Sequence, residues 1–347
     1  MSPQTLVAAA DERKRPMARN TFRRSIGLLV AAGLMAAACG SDDTSSVSSD
    51  APPESSGSAS SEPVAGGGGK TIAVLSPDYS AQPAAKTAVD AFVAEAESRG
   101  HTATVVDTNS DNAAMNAEIT TAVSQNVDAI VVAFGTPAEF GNGLSDAVAA
   151  EVPVFGLDTG GSAAGILTNV TTDAGFLGET SAQAIVDALG DEGGKVAMIV
   201  FDAFEPVRLR GVAAKELFEE NGVEVIEYIQ GDPADSTGFA KATVGDLLQK
   251  YPQGELDAIW AGWDATALGA FQATVEGDRT EILVTGVDGQ DFAIAEVQKG
   301  TNWIATVKQD WPTIATVEMD QIEAFFAGEA PAEEVIFVDG ILVTADS

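Results

Sequence analysis

The chain has one cysteine and one histidine in 347 residues. A lone cysteine allows no internal disulfide. The lone histidine, His101, follows Gly100 in a predicted turn, with no second imidazole at metal-ligand spacing. No Gly-x-Ser-x-Gly nucleophile motif occurs. Catalysis therefore has little to work with, and the residues point away from an enzyme. Basic residues are scarce too, 18 against 52 acidic, for a formal charge of −34. Six of the 18 fall in residues 1–38, where Asp11 and Glu12 are the only acids, so the remainder carries 12 basic against 50 acidic, or −38. That balance excludes a nucleic-acid footprint, which needs basic patches. It fits a soluble protein outside the cytoplasm or one living in salt.

What is present is a globular composition, 45% hydrophobic, in a chain long enough for two domains. The first segment reads as an address. Residues 17–24 are basic, and 26–38 form an apolar run of 13 residues, too short to span a bilayer but right for a signal-peptide core. The run ends Leu34-Met-Ala-Ala-Ala-Cys39-Gly40. Small residues before a lone cysteine resemble the lipobox of bacterial lipoproteins, which implies a signal peptide over 1–38 and a lipid anchor on Cys39. Met17 offers an alternative start, since a complete signal peptide begins there. Residues 40–69 are Ser, Asp, Pro and Gly with almost no apolar content, so 39–69 is expected to be the lipidated cysteine and a flexible tether. Gly66 to Thr71 superficially suggests a phosphate loop, but position 64 is Val and the run precedes a predicted strand instead of following one.

From residue 71 short apolar runs alternate with amphipathic stretches. The pattern predicts strands at 71–76, 103–107, 129–134 and 154–157 with helices at 84–99, 113–125 and 138–150 between them. The series then restarts at 195–200. Such alternation implies an α/β fold of two similar doubly wound parallel-sheet lobes with a small-molecule cleft between them. The chain is organised around Ile282-Leu-Val-Thr-Gly-Val-Asp-Gly289, a buried strand that ends in the carboxylate of Asp288. Val152 to Asp158 repeats the design. Ligands of open α/β sheets bind beyond the carboxyl ends of the strands, so the two aspartates are expected to wall one polar cleft. The competing reading is that each merely caps the helix after it.

The body resembles the periplasmic sugar-binding proteins of the ribose/galactose-binding type. The motifs are Leu157-Asp158, Arg208-Leu-Arg210-Gly211, Asp264-Ala-Thr-Ala-Leu-Gly-Ala270, Gly286-Val-Asp288-Gly289 and Ala305-Thr-Val-Lys-Gln309. The lac-repressor family shares the fold but begins with a DNA-reading helix-turn-helix, which a lipoprotein signal replaces here. The resemblance implies three crossings between lobes, near Asp173, Gln309 and Asp339. It divides the chain into an N-terminal lobe of 70–172 with 310–338 and a C-terminal lobe of 173–309 with 339–347. It implies ligand roles for Asp158, Arg210, Asp288 and Gln309, no cofactor and no metal. It implies a monomer that delivers a sugar or polyol to the membrane permease of an ABC importer. A sensor that presents the same solute to a membrane receptor is the alternative.

The chain departs from the family in its aromatics. Where the family's first loop often carries Asn-Pro-Phe-Phe, this chain has Pro83-Ala84-Ala85, with Tyr79 upstream. Thr159 stands for an arginine and Trp263 for an asparagine, so the aromatic wall is expected across the cleft on Trp263, with Phe134 at a strand end and Tyr79 as further ligand-binding candidates. These residue types suit a polyol, because carboxylates accept hydroxyl protons, guanidinium donates in a planar fork and ring faces cover C–H groups. Trp260 and Arg208 are expected in the core and on the surface respectively. Asp107, Asn109, Asp111 and Glu118 match calcium-loop spacing, but Asn112 stands where that loop needs glycine, so a capped polar turn at the cleft rim is expected instead.

Overall fold

A computed structural model describes residues 68–347 apart from 110 and 332. The expected signal segment, Cys39 and nearly all of the tether lie outside the described residues.

Two six-stranded sheets carry the architecture. The first comprises β1 (Thr71–Ser76), β2 (Thr102–Asp107), β3 (Ala129–Ala133), β4 (Val154–Leu157), β5 (Asn169–Thr171) and β11 (Val335–Phe337), in the order β11-β5-β4-β3-β1-β2. The second comprises β6 (Gly194–Val200), β7 (Val223–Gln230), β8 (Ala258–Ala261), β9 (Leu283–Asp288), β10 (Trp303–Lys308) and β12 (Ile341–Thr344), in the order β12-β10-β9-β8-β6-β7. The two orders are copies of one plan. All pairings are parallel except the edge pair β10–β12, which is antiparallel. A parallel sheet needs cover on both faces, and each has it. Helices α1 (Pro83–Ser98) and α9 (Trp311–Phe326) pack on one face of the first sheet, with α2 (Asn112–Ser124) and α3 (Gly143–Ala149) on the other. The second sheet lies between α4 (Ala174–Leu189) with α5 (Glu205–Glu220) and α6 (Ser236–Lys250) with α7 (Asp264–Glu276) and α8 (Asp291–Val297).

The central strands explain themselves. β3 reads AIVVA and β8 reads AIWA, and every residue of both is buried. Trp260 lies in the core, its Nε1 donating to Ser181 Oγ at 2.9 Å. The chain passes from the first sheet to the second between Thr171 and Ala174, returns between Lys308 and Trp311, and passes once more between Phe337 and Ile341.

Two elements differ from the sequence reading. The helix expected over 138–150 is a single 3-10 turn, Pro137–Glu139, followed by the short α3. Gly141, at φ +59°, breaks it, since left-handed backbone cannot continue a right-handed helix. The three-residue β5 carries Asn-Val-Thr, too short and too polar to show as an apolar run, and it is held by pairing with β4 and β11. At the suspected calcium loop, Asp111 caps α2 by accepting from the amides of Ala113 and Ala114, and Asp107 accepts from the amides of Ser80 and Asn109. Among the described residues no cluster of acidic or imidazole groups is arranged to hold a metal.

Close packing of α6 on α7 depends on Gly269. A Cβ there would sit 2.2 Å from the carbonyl oxygen of Thr237 and 2.8 Å from the amide nitrogen of Lys241. Both are backbone atoms, so a helix has to move. Gly269→Ala is expected to lower the unfolding free energy by about 1–3 kcal/mol, read as a lower urea midpoint with unchanged slope.

Candidate functional site

In each sheet the strand order reverses beside its first strand, between β1 and β3 and between β6 and β8. Loops diverge at such a point and leave a crevice at the carboxyl ends. A cavity of about 180 Å³ lies there. Its wall comes from the loops after both sheets' strands: Pro77, Asp78 and Gln82 after β1, Phe134 and Glu139 after β3, Phe201 and Phe204 after β6, Trp263 after β8 and Asp288 at the end of β9. Arg210, from α5, completes the polar part.

Three strand-end residues adopt positive φ: Phe134 at +62°, Asp158 at +55° and Asp288 at +114°. Left-handed backbone at non-glycine residues costs about 1–3 kcal/mol each and clusters where the surrounding structure enforces a functional geometry. The strand ends at the cavity match that pattern.

The polar centre is an ion pair. Arg210 Nη1 donates to Asp288 Oδ1 at 3.0 Å and to the Gly262 carbonyl at 3.0 Å. Gln309 Nε2 donates to the same Asp288 oxygen at 3.1 Å. Arg210 is 2% exposed, Asp288 4% and Gln309 0%. Arg210 Nε and Gln309 Oε1 have no hydrogen-bond partner within the protein. Asp158 is buried behind the cavity wall and accepts from the Thr171 hydroxyl. Burial pushes its pKa up, against the pull of the Arg210 charge. Burial likewise pushes the Asp288 carboxyl up to about 6; Arg210 opposes the shift and Asp158 adds to it. Asp264, the first residue of α7, is held by the Gln290 amide and the Thr306 hydroxyl, each at 2.8 Å. Burial, and then repulsion from Asp288, raises its carboxyl well above the ordinary range.

The apolar part is aromatic. Phe134 of the first lobe and Phe204 of the second lie 6.2 Å apart with ring planes 25° from parallel. Trp311 tilts against Phe134 at 5.9 Å. Trp263 is 7% exposed and donates from Nε1 to Ser236 Oγ at 3.1 Å. Hydrogen bonds join the lobes across the cleft. Gln82 Nε2 donates to the Pro233 carbonyl and, at 3.0 Å, to Ser236 Oγ, while the Thr87 hydroxyl donates to Gln290 Oε1 at 3.1 Å.

Of the residues singled out in the sequence, Phe134, Arg210, Trp263 and Asp288 line the cavity, and Gln309 and Asp158 lie immediately behind it. Tyr79 does not line it. Its hydroxyl donates to Asp90 at 2.8 Å, and Lys86 stands 4.9 Å from its ring centre. Arg208 lies on the surface beside Glu205. Sequence reasoning missed Phe201, Phe204 and the pair Gln82 and Ser236. The only available signal was position, directly after predicted strands and before the helices that Pro83 and Pro206 open.

Two α/β lobes of one plan, a cavity at their facing strand ends and hydrogen bonds bridging it define a two-lobed binding protein of the type I periplasmic arrangement. The chain belongs to the periplasmic binding protein domain family, whose signature matches residues 72–330. It is 26% identical over 281 residues to a D-apiose import binding protein of Actinobacillus succinogenes, covering 80% of this chain and 88% of that one. The fold is similar to an ABC transporter solute binding protein from Agrobacterium vitis solved with bound allitol, with a TM-score of 0.74, 26% identity, and coverage of 80% of this chain and 96% of the other. It is also similar to an ABC transporter solute binding protein from Mycobacterium smegmatis with bound glycerol, with a TM-score of 0.72, 26% identity, and coverage of 81% and 96%.

The raised Asp288 pKa has a consequence for stability. In the folded protein this carboxyl keeps its proton up to about pH 6, whereas an unfolded aspartate releases it near 3.8. The folded state therefore binds more protons between those values, and stability from this group falls as pH rises through them. Urea unfolding of the wild type across pH 4–6.5 is expected to show that fall, and Asp288→Asn to lessen it, leaving the share of Asp158 and Asp264, whose carboxyls burial raises as well.

Proposed function

We propose that the chain is the extracytoplasmic solute-binding component of an ABC importer, anchored to the membrane through a lipid on Cys39. It takes a sugar or polyol into the cleft, closes by hinge motion and delivers the solute to a membrane permease. One observation carries the reading: a buried Arg210–Asp288–Gln309 centre, with a guanidinium nitrogen and an amide oxygen lacking protein partners, lies between aromatic faces at the junction of two lobes. A ring or chain of hydroxyls meets those requirements, since each hydroxyl both donates and accepts while its C–H faces need only apolar cover. Relatives named as import binding proteins, and a neighbour holding allitol, support the assignment. The bonds from Gln82 and Thr87 to the opposite lobe are those that closure would form.

Asp158, Arg210, Asp288 and Gln309 hold the hydroxyls in this account, and Phe134 and Trp263 cover the C–H faces. Tyr79, bonded to Asp90, takes no direct part.

A thermal-shift panel of D-ribose, D-allose, D-apiose and allitol against the full chain tests the reading, because a bound guest raises the melting temperature by mass action. Asp288→Ala is expected to cost about 2 kcal/mol, or about thirty-fold in affinity, for the compound that binds, measured by calorimetry. Unchanged affinity removes Asp288 from the site. For the anchor, Cys39→Ser is expected to shift the expressed protein from the membrane to the soluble fraction.

A further inference from the structure

Two helix starts meet across the cleft. Gln82 is the residue before α1 in the first lobe, and Ser236 is the first residue of α6 in the second. Ser236 is 6% exposed, and its Oγ accepts one N–H from each lobe: Trp263 Nε1 at 3.1 Å and Gln82 Nε2 at 3.0 Å. A hydroxyl oxygen has two lone pairs, so both acceptor positions are taken. Its own proton has the Pro233 carbonyl within reach at 3.4 Å and Gln82 Oε1 at 3.5 Å. We propose that Ser236 is a positioning residue that couples the Trp263 wall to lobe closure, so that the Gln82 latch holds only over a guest that leaves the indole in place. The proposal rests on the sugar-binding reading of the cavity and adds to it a means of rejecting an oversized guest.

Three observations carry it. First, the indole has a tight seat. Trp263 lines the cavity yet is 7% exposed, it packs with Val207 and Ala265, and a Cβ on Gly231 would sit 2.6 Å from its Cη2. Second, the ring's single N–H is anchored on Ser236. An indole pushed off its seat leaves that buried donor without an acceptor, which is costly. It also releases the Ser236 hydroxyl from the orientation that presents a second lone pair to Gln82. Third, Gln82 Nε2 donates only into the opposite lobe, to Ser236 and to the Pro233 carbonyl, and Gln82 lines the same cavity as Trp263. Guest, wall and latch therefore adjoin. Capture takes place in the open cleft, before Gln82 reaches Ser236, so the latch acts on release of the guest and not on its entry.

Two measurements on the full chain test this, with melting curves confirming that each variant folds. The chain has four tryptophans, and Trp263→Phe identifies the indole N–H resonance of the wall in a nitrogen–proton correlation spectrum. Without any guest, Gln82→Ala is expected to move that resonance although it lies in the opposite lobe, and to move it no further in a Ser236→Ala background. The second measurement is stopped-flow binding of D-ribose, D-allose, D-apiose and allitol. For a compound that binds, Ser236→Ala and Gln82→Ala are each expected to raise the off-rate about five-fold and to change the on-rate by less than about two-fold. The double variant is expected to add little to the larger single effect, and Ser236→Thr, which keeps the hydroxyl, to stay near the wild type. Additive off-rate effects, or an indole resonance that Gln82→Ala leaves unmoved, overturn the proposal and leave the sugar-binding reading standing. Failure of all four compounds to bind overturns both.

Discussion

One buried contact orders the site, the 3.0 Å bond between Arg210 and Asp288. Both partners are almost fully removed from water, a situation that is unfavourable for either alone. The pair is tolerable because further groups share its charge: the Gly262 carbonyl on the guanidinium and the Gln309 amide on the carboxylate. Those groups come from α5, from the ends of β8 and β9 and from the second crossing. The ion pair thus fixes four separate stretches of chain relative to one another. Gly178 belongs to the same arrangement, because a Cβ there would sit 2.1 Å from the Arg210 carbonyl oxygen. The helix pair α4 and α5 can approach closely enough to set Arg210 only because that side chain is absent.

The wider architecture follows from parallel-sheet logic. Strands buried on both faces cannot carry polar chemistry along their length, so polar groups gather at the strand ends. The chain exploits this twice, once per sheet, and turns the ends of β4 and β9 through left-handed backbone at Asp158 and Asp288. Aromatic rings fill the positions between. Phe134 and Phe204 meet from opposite lobes, so the apolar wall is itself an inter-lobe contact.

Much of this was legible in the sequence. Apolar runs as short as AIVVA and AIWA, spaced by amphipathic stretches and repeated, define two parallel sheets because only doubly covered strands are so uniformly apolar. Asp158 and Asp288 stood out because each follows such a run at the carboxyl end of its strand, where open α/β sheets bind ligands, although a helix cap would leave the same pattern. The aromatic positions were less legible. Nothing local separates Phe204, which meets Phe134 across the cleft, from Phe218, which is buried in the core, because the difference lies in which loop faces the other lobe. Tyr79 read as a candidate wall from its place after β1, yet a nearby carboxylate and lysine engage its hydroxyl. Gln82 and Ser236 were invisible, since a polar residue that bridges two lobes leaves no pattern in either.

The crossings and the carboxylates are tied together. Thr171, which donates to Asp158, is the last residue of β5 before the chain first leaves the N-terminal lobe, and Gln309, which donates to Asp288, is the first residue after β10 as it returns. Two of the three connecting strands thus end in a side chain that touches a buried acid. In the proposed account pivot and grip share the same atoms, so a substitution at 171 or 309 would alter how the guest is held and how far the halves swing in a single stroke. On the same account, preference for a new solute would be retuned without that penalty on the walls that stand clear of the pivot, at Phe201 or Phe204.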